Sequence, residues 1–236
     1  MRTLRGVLLS AAALAVLLPA AAEAQQGRRF ENAWFWGIKG GGTLYEHSSV
    51  GQDAGGAYGA AVADWNLAPT VGLEWLITRT RGGLYASYEQ GLLEERTGYT
   101  LDAFDPNASV AAVDLNNLRR VNLAGMIFPP VNRWMQPYIG LGLSLVQIAD
   151  AETVNPEVFA DAVEQEAFEH FITEQRTQLQ PLAILGVQAR LQPFSVFIQG
   201  TATRFDEQFL LRGGSSAMVT YEIGIRYNIG SAIERL

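Results

Sequence analysis

The segment 219–230 alternates between apolar and polar positions without a break. Its odd-numbered residues up to position 229 are Val, Tyr or Ile, whereas its even-numbered residues include Thr220, Glu222, Gly224 and Arg226. Because successive side chains of a β-strand point to opposite faces, this pattern predicts a strand with one apolar and one polar face. The polar face carries two full charges, and the fold has to accommodate them.

The same division into two faces recurs along the chain and predicts an all-β fold. In the segment 136–148, positions 139, 141, 143 and 145 are Ile or Leu, while the opposite face includes Gly140, Gly142 and Ser144. Segments of this kind indicate eight strands. They lie near residues 33–45, 70–78, 83–93, 115–127, 136–148, 178–191, 194–205 and 217–229.

The connections between these strands alternate in length. The long ones are 46–69, 94–114, 149–177 and 206–216, and the short ones are 79–82, 128–135 and 192–193. In an antiparallel meander, every long connection therefore lies at one end. This asymmetry is typical of outer-membrane barrels, which have short periplasmic turns and long extracellular loops.

A soluble eight-stranded barrel is the alternative fold. The chemistry of the two strand faces distinguishes it from an outer-membrane barrel. A soluble barrel buries its apolar face and turns its polar face to water. Here the polar face is rich in glycine and other small residues, which suits a narrow interior, and the other face carries the large apolar side chains. We therefore expect an eight-stranded antiparallel up-and-down transmembrane β-barrel whose apolar face points outward to lipid.

Alternation places six charged residues on the inward face of this barrel, where we expect a polar cluster in the lumen. They are Lys39, Glu74, Glu89, Arg120, Glu222 and Arg226. Because an isolated buried charge costs several kcal/mol or more, we expect these acids and bases to form pairs. Alternatively, one or two of them, for example Glu89, lie at the water-exposed rim of the barrel. A lumen filled in this way disfavours a general diffusion pore.

Aromatic residues cluster near the predicted strand ends. They are Trp34, Trp36, Trp75, Tyr88, Trp134 and Tyr227. Because amphipathic rings favour the interface between hydrocarbon and water, this placement predicts an aromatic girdle around the barrel.

The N-terminal residues have the pattern of a cleaved secretory signal. Two arginines precede an apolar run over residues 6–18, and Ala22 and Ala24 are small residues at the positions that a signal peptidase reads. We expect residues 1–24 to be removed on export.

Composition restricts the chemistry that the chain can perform. The chain contains no cysteine, and its two histidines, His47 and His170, lie far apart in the sequence, so no transition-metal site is expected. No glycine-rich phosphate loop is present, because Gly40 to Gly42 fall within a predicted strand, and we expect no cofactor. The formal net charge of −7 disfavours nucleic acid as a partner.

With these features the chain resembles the small OmpA/OmpX-type outer-membrane β-barrel proteins. Its segment QPYIGLGLSL at 136–145 is also similar to the strands of such proteins. The most specific part of the resemblance is the last strand, in which Glu222, Gly224, Tyr227 and Ile229 are similar to the C-terminal sorting signal of such proteins. Family members commonly end this signal on an aromatic residue, whereas this chain has Ile229 there.

The resemblance implies a location and a set of partners. The location is the bacterial outer membrane, with both chain termini in the periplasm. It implies a periplasmic segment at 25–32, a barrel over 33–230 and a short tail at 231–236. The implied partners are outer-membrane lipid and lipopolysaccharide, the barrel-assembly machinery during biogenesis, and an extracellular or envelope protein that meets the surface loops.

The connection 149–176 is the most acidic part of the chain. Its acids are Asp150, Glu152, Glu157, Asp161, Glu164, Glu166, Glu169 and Glu174, against the single base Arg176. A helix is expected within it, capped by Asn155 with Pro156 at the first position. Its apolar stripe is expected to run through Phe159, Val163, Ala167 and Phe171, with Phe168 and Ile172 beside it. The acidic face either recruits divalent cations or a basic partner, or is simply solvated.

The function expected from these features is that of a non-catalytic envelope component, and two alternatives remain open. His47 and Ser49 have the spacing of a base and a nucleophile on one strand face, as a lipid A acyl hydrolase would need, but the sequence places no acid to orient His47. The second alternative is a narrow channel that opens when an ion pair in the lumen rearranges.

Overall fold

The computed structural model is a closed antiparallel barrel in which each of eight strands pairs with the next and the last closes onto the first. The structure describes residues 33–49, 62–79, 82–101, 109–129, 135–191, 193–204, 209–210 and 217–230. The strands are β1 Ala33–Ser49, β2 Val62–Arg79, β3 Gly82–Thr100, β4 Val110–Ile127, β5 Met135–Thr153, β6 Thr177–Leu191, β7 Phe194–Arg204 and β8 Ala217–Gly230. The predicted fold class is therefore confirmed. The predicted signal segment, residues 25–32 and the tail lie outside the described residues.

Several strands continue further toward the long connections than the sequence pattern predicted. The prediction that 46–69 and 94–114 are loops is wrong, because β1 pairs with β2 as far as Ser49 opposite Val62, and β3 pairs with β4 as far as Thr100 opposite Val110. Backbone hydrogen bonds hold paired strands together even where the side chains do not alternate. The strands therefore extend beyond the segments in which alternation predicted them. We call the end that carries these connections the long-loop end and the opposite end the short-turn end.

The outer surface of the barrel is apolar and the interior is polar at mid-height. Leu141 on β5 is 70% exposed, and the same outward face of every strand exposes large side chains such as Ile38, Leu73, Leu185 and Ile223. The inward face buries side chains such as Lys39, Glu89 and Arg226. This arrangement is the inverse of a soluble barrel and is that of a barrel surrounded by hydrocarbon.

Aromatic rings gather on the outer wall near the short-turn end. Trp36 lies opposite Trp75 on one side and Tyr227 on the other, and Phe194 lies opposite Tyr227 with ring centroids 5.3 Å apart. Tyr88, which was expected near a strand end, instead lies in the middle of the outward apolar row of β3, since its partners are Leu73 and Val121. Trp134 lies outside the described residues.

Two apolar layers close the interior above and below the polar region. The short-turn plug consists of Ala33, Phe35, Leu76, Tyr85, Ala124, Met126, Phe128, Tyr138, Leu182 and Ile184. The mouth plug, at the long-loop end, consists of Tyr45, Ala68, Leu93, Tyr99, Val113, Leu115, Leu118, Val146, Ile148, Ile172, Phe209, Leu210 and Met218. All members of the first plug except Phe128, which directly follows β4, are strand residues, whereas residues of the long connections contribute to the second.

The connection between β5 and β6 contains the predicted helix, but the helix starts at a different residue. A one-turn 3-10 helix spans Pro156–Val158, and the α-helix, α1, spans Ala162–Gln175. The helix is capped by Asp161, whose side chain accepts hydrogen bonds from the backbone N–H groups of residues 163 and 164. No helix of the described part of the chain is long and apolar enough to cross a membrane.

Asn155, the predicted cap, has another role. Its side chain accepts a hydrogen bond from the backbone N–H of Ala112 at 2.7 Å and donates one to the carbonyl of Val110 at 2.8 Å. The connection is thereby fastened to the end of β4. Of the predicted stripe, Val163 is 74% exposed, whereas Phe171 packs against the mouth plug together with Phe168 and Ile172, which were expected beside the stripe.

We predict that an arginine on the outer wall destabilises the barrel only where the wall meets lipid. Leu141→Arg should lower the free energy of unfolding in lipid vesicles by about 2–4 kcal/mol, because a guanidinium near the centre of the hydrocarbon loses its hydration. Val163→Arg is the matched control, since this side chain is equally exposed but lies on α1. Urea titration in vesicles measures both, and an equal response of the two variants would contradict a lipid-facing wall.

Candidate functional site

Lys39 is at the centre of the interior polar network. Its ammonium forms ion pairs with Glu89 and with Glu222, the latter at 3.0 Å, and donates a hydrogen bond to the hydroxyl of Tyr85 at 2.9 Å. Lys39 lies on β1 and its partners lie on β3 and β8, and β8 is next to β1 only because the barrel closes. One base therefore neutralises part of two acids that are far apart in the sequence.

Glu89 is shared by two bases. The guanidinium of Arg120 lies 2.5 Å from its Oε2, and the amide of Asn122 donates to its Oε1 at 2.6 Å. Arg120 also donates to the hydroxyls of Thr220 at 2.6 Å and Thr43 at 3.2 Å. The structure thus places Glu89 in the buried centre of the network and not at a wet rim.

A second ion pair lies nearer the short-turn end. Arg226 donates to both carboxylate oxygens of Glu74, at 2.5 and 3.2 Å, and to the side-chain carbonyl of Gln188 at 2.7 Å. Its guanidinium stacks on the ring of Phe197, 3.9 Å from the centroid. Such a bidentate and stacked arrangement satisfies the flat, five-donor guanidinium in a way that lysine cannot reproduce.

Gln199 on β7 joins the two ion-pair groups into one network. Its amide donates to Glu222 at 2.7 Å and to the hydroxyl of Tyr85 at 3.2 Å. Its carbonyl oxygen accepts from the hydroxyl of Tyr138 at 3.0 Å and from Arg226 at 3.4 Å. Sequence reasoning missed Gln199, although its position among the inward residues of β7 was the available signal.

All six residues predicted for the lumen cluster therefore lie inside the barrel, and the structure brings them together in two linked groups. The three acids and three bases balance in charge, and each carboxylate contacts at least one base. Because these groups hold one another between two apolar plugs, the arrangement is suited to fixing the barrel shape. It offers no carboxylate or amine that is unoccupied and open to a substrate.

His47 does not have the position that an enzyme at the lipid-facing wall would need. Its side chain points inward and is buried, with Nδ1 3.4 Å from Glu95 Oε2. The hydroxyl of Tyr45 donates to the other oxygen of Glu95 at 2.7 Å. An acid therefore does lie beside His47, which the sequence did not reveal, but the group faces the mouth plug. The side chain of Ser49 is outside the described residues.

The last strand presents its residues to two environments. Glu222 and Gly224 face the interior, and Tyr227 and Ile229 are about half exposed on the outer wall. The absence of a side chain at Gly224 matters, because a Cβ there would collide with the ring of Phe197 that supports Arg226. The sorting role of this strand stays a prediction.

The long-loop end presents an acidic surface. All eight acids of the connection 149–176 are solvent-exposed, and two of them, Glu152 and Glu169, line a groove of about 390 Å³ between β5 and α1. Within the described residues no group of three or more His, Asp or Glu side chains has a metal-binding arrangement. The surface is therefore a diffuse negative patch and not a preformed cation site.

Comparison with known proteins gives structural likeness only. No protein-family model matches the chain, and no curated protein sequence matches it significantly. Similar solved structures include Neisserial surface protein A, with 8% identity, a TM-score of 0.47, and coverage of 84% of this chain and 97% of that one. The attachment invasion locus protein Ail of Yersinia pestis has 14% identity, a TM-score of 0.43 and coverage of 84% and 99%. The outer-membrane enzyme PagL has 10% identity, a TM-score of 0.32 and coverage of 80% and 99%.

We predict that removing one partner of an interior ion pair destabilises the barrel more than removing both partners. Glu74→Gln leaves Arg226 as an uncompensated buried charge and should cost about 3–5 kcal/mol of stability. Adding Arg226→Gln should restore part of that loss, because the remaining amides can pair. Asp114→Asn is the control, since the Arg96–Asp114 pair is partly exposed and should be worth about 1 kcal/mol or less. Urea unfolding of the wild type, both single variants of the pair, the double variant and Asp114→Asn measures this, and a strictly additive double variant would contradict the coupling.

Proposed function

We propose that the chain is an integral outer-membrane protein with no catalytic activity, and that its barrel anchors an acidic recognition surface outside the cell. The observation that carries this proposal is the division of the molecule into three surfaces. An apolar wall surrounds the barrel, paired charges fill it, and the exposed acids of the longest described connection gather at one end.

The proposed orientation has the long-loop end outside and both termini in the periplasm. Short turns mark the opposite end, and short turns are the usual periplasmic arrangement in barrels of this kind. The signal at residues 1–24 would direct export, and the last strand, with Gly224 and Tyr227, would present the sorting signal to the barrel-assembly machinery. Outer-membrane lipid and lipopolysaccharide would then surround the wall.

The chemistry of the long-loop surface defines the partner. The aromatic side chains of α1 are used in packing, because Phe168 and Phe171 contact Tyr99 with ring centroids 5.7 Å away in each case. The outward face is left with its acids, including Glu157, Glu166 and Glu169. A surface of this kind fits a basic segment of an extracellular or envelope protein, or lipopolysaccharide phosphates bridged by divalent cations.

We predict that the two ends of the barrel are accessible from opposite sides of the outer membrane. The chain has no cysteine, so single cysteines at Val163 on α1 and at Pro193 in the last short turn report on one end each. A membrane-impermeant maleimide should label V163C in intact cells and P193C only after the outer membrane is permeabilised. Labelling of P193C but not V163C in intact cells would reverse the orientation, and labelling of neither after permeabilisation would contradict an exposed long-loop end.

We also predict that His47 has no role in lipid A hydrolysis, because it faces the barrel interior. The acyl pattern of lipid A, measured by mass spectrometry, should be the same in cells that express the wild-type protein, the His47→Ala variant or no protein. Tyr45→Phe, which removes the neighbouring contact to Glu95, is the control for a purely structural effect at this position. Loss of an acyl chain that depends on both the protein and His47 would establish the enzyme instead.

A further inference from the structure

The mouth plug is not continuous around the barrel. Its described members come from β1 to β5, β8, α1 and the connection before β8, and none comes from β6 or β7. Toward the long-loop end, the inward residues of these two strands are Gln178, Gln180, Thr201 and Thr203. The apolar layer therefore has a polar gap along one side.

A row of buried oxygen atoms continues from this gap into the barrel. Asn122 lies opposite Ser144, Ser144 lies opposite Gln180, and Thr203 lies one inward position away from Gln180 across the β6–β7 ladder. Each of these side chains is at most 5% exposed, yet Asn122 Oδ1, Ser144 Oγ, Gln180 Oε1 and Thr203 Oγ1 have no hydrogen-bond partner among the described residues. We call Asn122, Ser144, Gln178, Gln180 and Thr203 the polar seam.

The seam has a defined beginning and end. Gln178, which is half-buried at the long-loop end, accepts a hydrogen bond from the amide of Gln180 at 3.1 Å. At the other end Asn122 donates to Glu89, which is held by Lys39 and Arg120. The polar seam thus extends from the surface at the long-loop end to the ion pairs around Glu89, where it ends.

The atoms of the seam specify what can occupy it. Leaving a buried hydroxyl or amide oxygen unpaired costs about 1–3 kcal/mol each, so partners are expected at all four positions. The two hydroxyls need an acceptor as well as a donor, and the two amide oxygens need donors. Water can both donate and accept hydrogen bonds, and the hydration water of a small cation provides further donors. An anion offers no donor to either amide oxygen.

We infer that the polar seam is a water-filled inlet that admits water and small cations from the long-loop end as far as Glu89, and that it ends there. The helix α1 contacts β5 and β6, and its exposed acids raise the local concentration of cations at this end of the barrel. The inlet is a property of the barrel interior, so it does not depend on which side of the membrane the long loops face.

Cysteine accessibility tests this inlet in the detergent-folded protein. The variants S144C and T203C place a thiol in the seam, and A124C places one on the same strand as Asn122 but inside the short-turn plug. Aminoethyl methanethiosulfonate, a small cation, should modify the seam thiols about tenfold or more faster than A124C, because a thiol in dry apolar surroundings forms little thiolate. The anionic sulfonatoethyl reagent should be slower at both seam positions.

A second change tests the route. Combining S144C with Gln180→Leu should reduce its reaction rate to that of A124C, because leucine closes the gap between β6 and β7. Only protein with heat-modifiable gel mobility is compared, and T203C takes the place of S144C in this combination if S144C does not fold. A seam thiol no faster than A124C, or an S144C rate unaffected by Gln180→Leu, would overturn the inlet. Neither result depends on the cell-labelling experiment that tests orientation.

Discussion

The neutralisation of charge inside the barrel is the constraint on which the rest of the structure depends. A wall that faces hydrocarbon must be apolar on every strand, so the polar side chains of the same strands are directed into a narrow interior. There they lose water, and each charge requires a partner of opposite sign. Lys39 pairs with Glu89 and Glu222, Arg120 also pairs with Glu89, and Arg226 pairs with Glu74. These contacts cross the lumen and fix which strands face one another.

Neutralisation also requires space, and the inward glycines provide it. A Cβ at Gly37 would lie 2.7 Å from Oε1 of Glu74, and one at Gly186 would overlap the ring of Tyr138. Large side chains on one strand thus occupy the room left by absent side chains on its neighbour. The glycine-rich polar face of the sequence and the bulky charged network of the structure are therefore two aspects of one packing solution.

How much of this could be read from the sequence depends on whether a feature is local. Alternation is local, and it identifies the strands, the barrel and the side chains that share the face of Glu222. The partners of those side chains are not local: Lys39 meets Glu222 only after closure, and Gln199 connects the two groups only because β7 lies beside β8. The start of α1 was missed for a similar reason, since Asn155 is held by β4 and not by the helix that follows it.

The two ends of the barrel are closed by different means, and this difference separates stability from function. Strand residues such as Tyr85 and Tyr138 form most of the short-turn plug, so its packing is tied to the barrel itself. The mouth plug takes Phe209 and Leu210 from the connection before β8, and it takes Ile172 from α1, which lies in the connection that carries the acidic surface. A change in that connection therefore alters the acidic surface and the closure of the mouth together. The paired charges lie between the two plugs and are formed by strand residues alone.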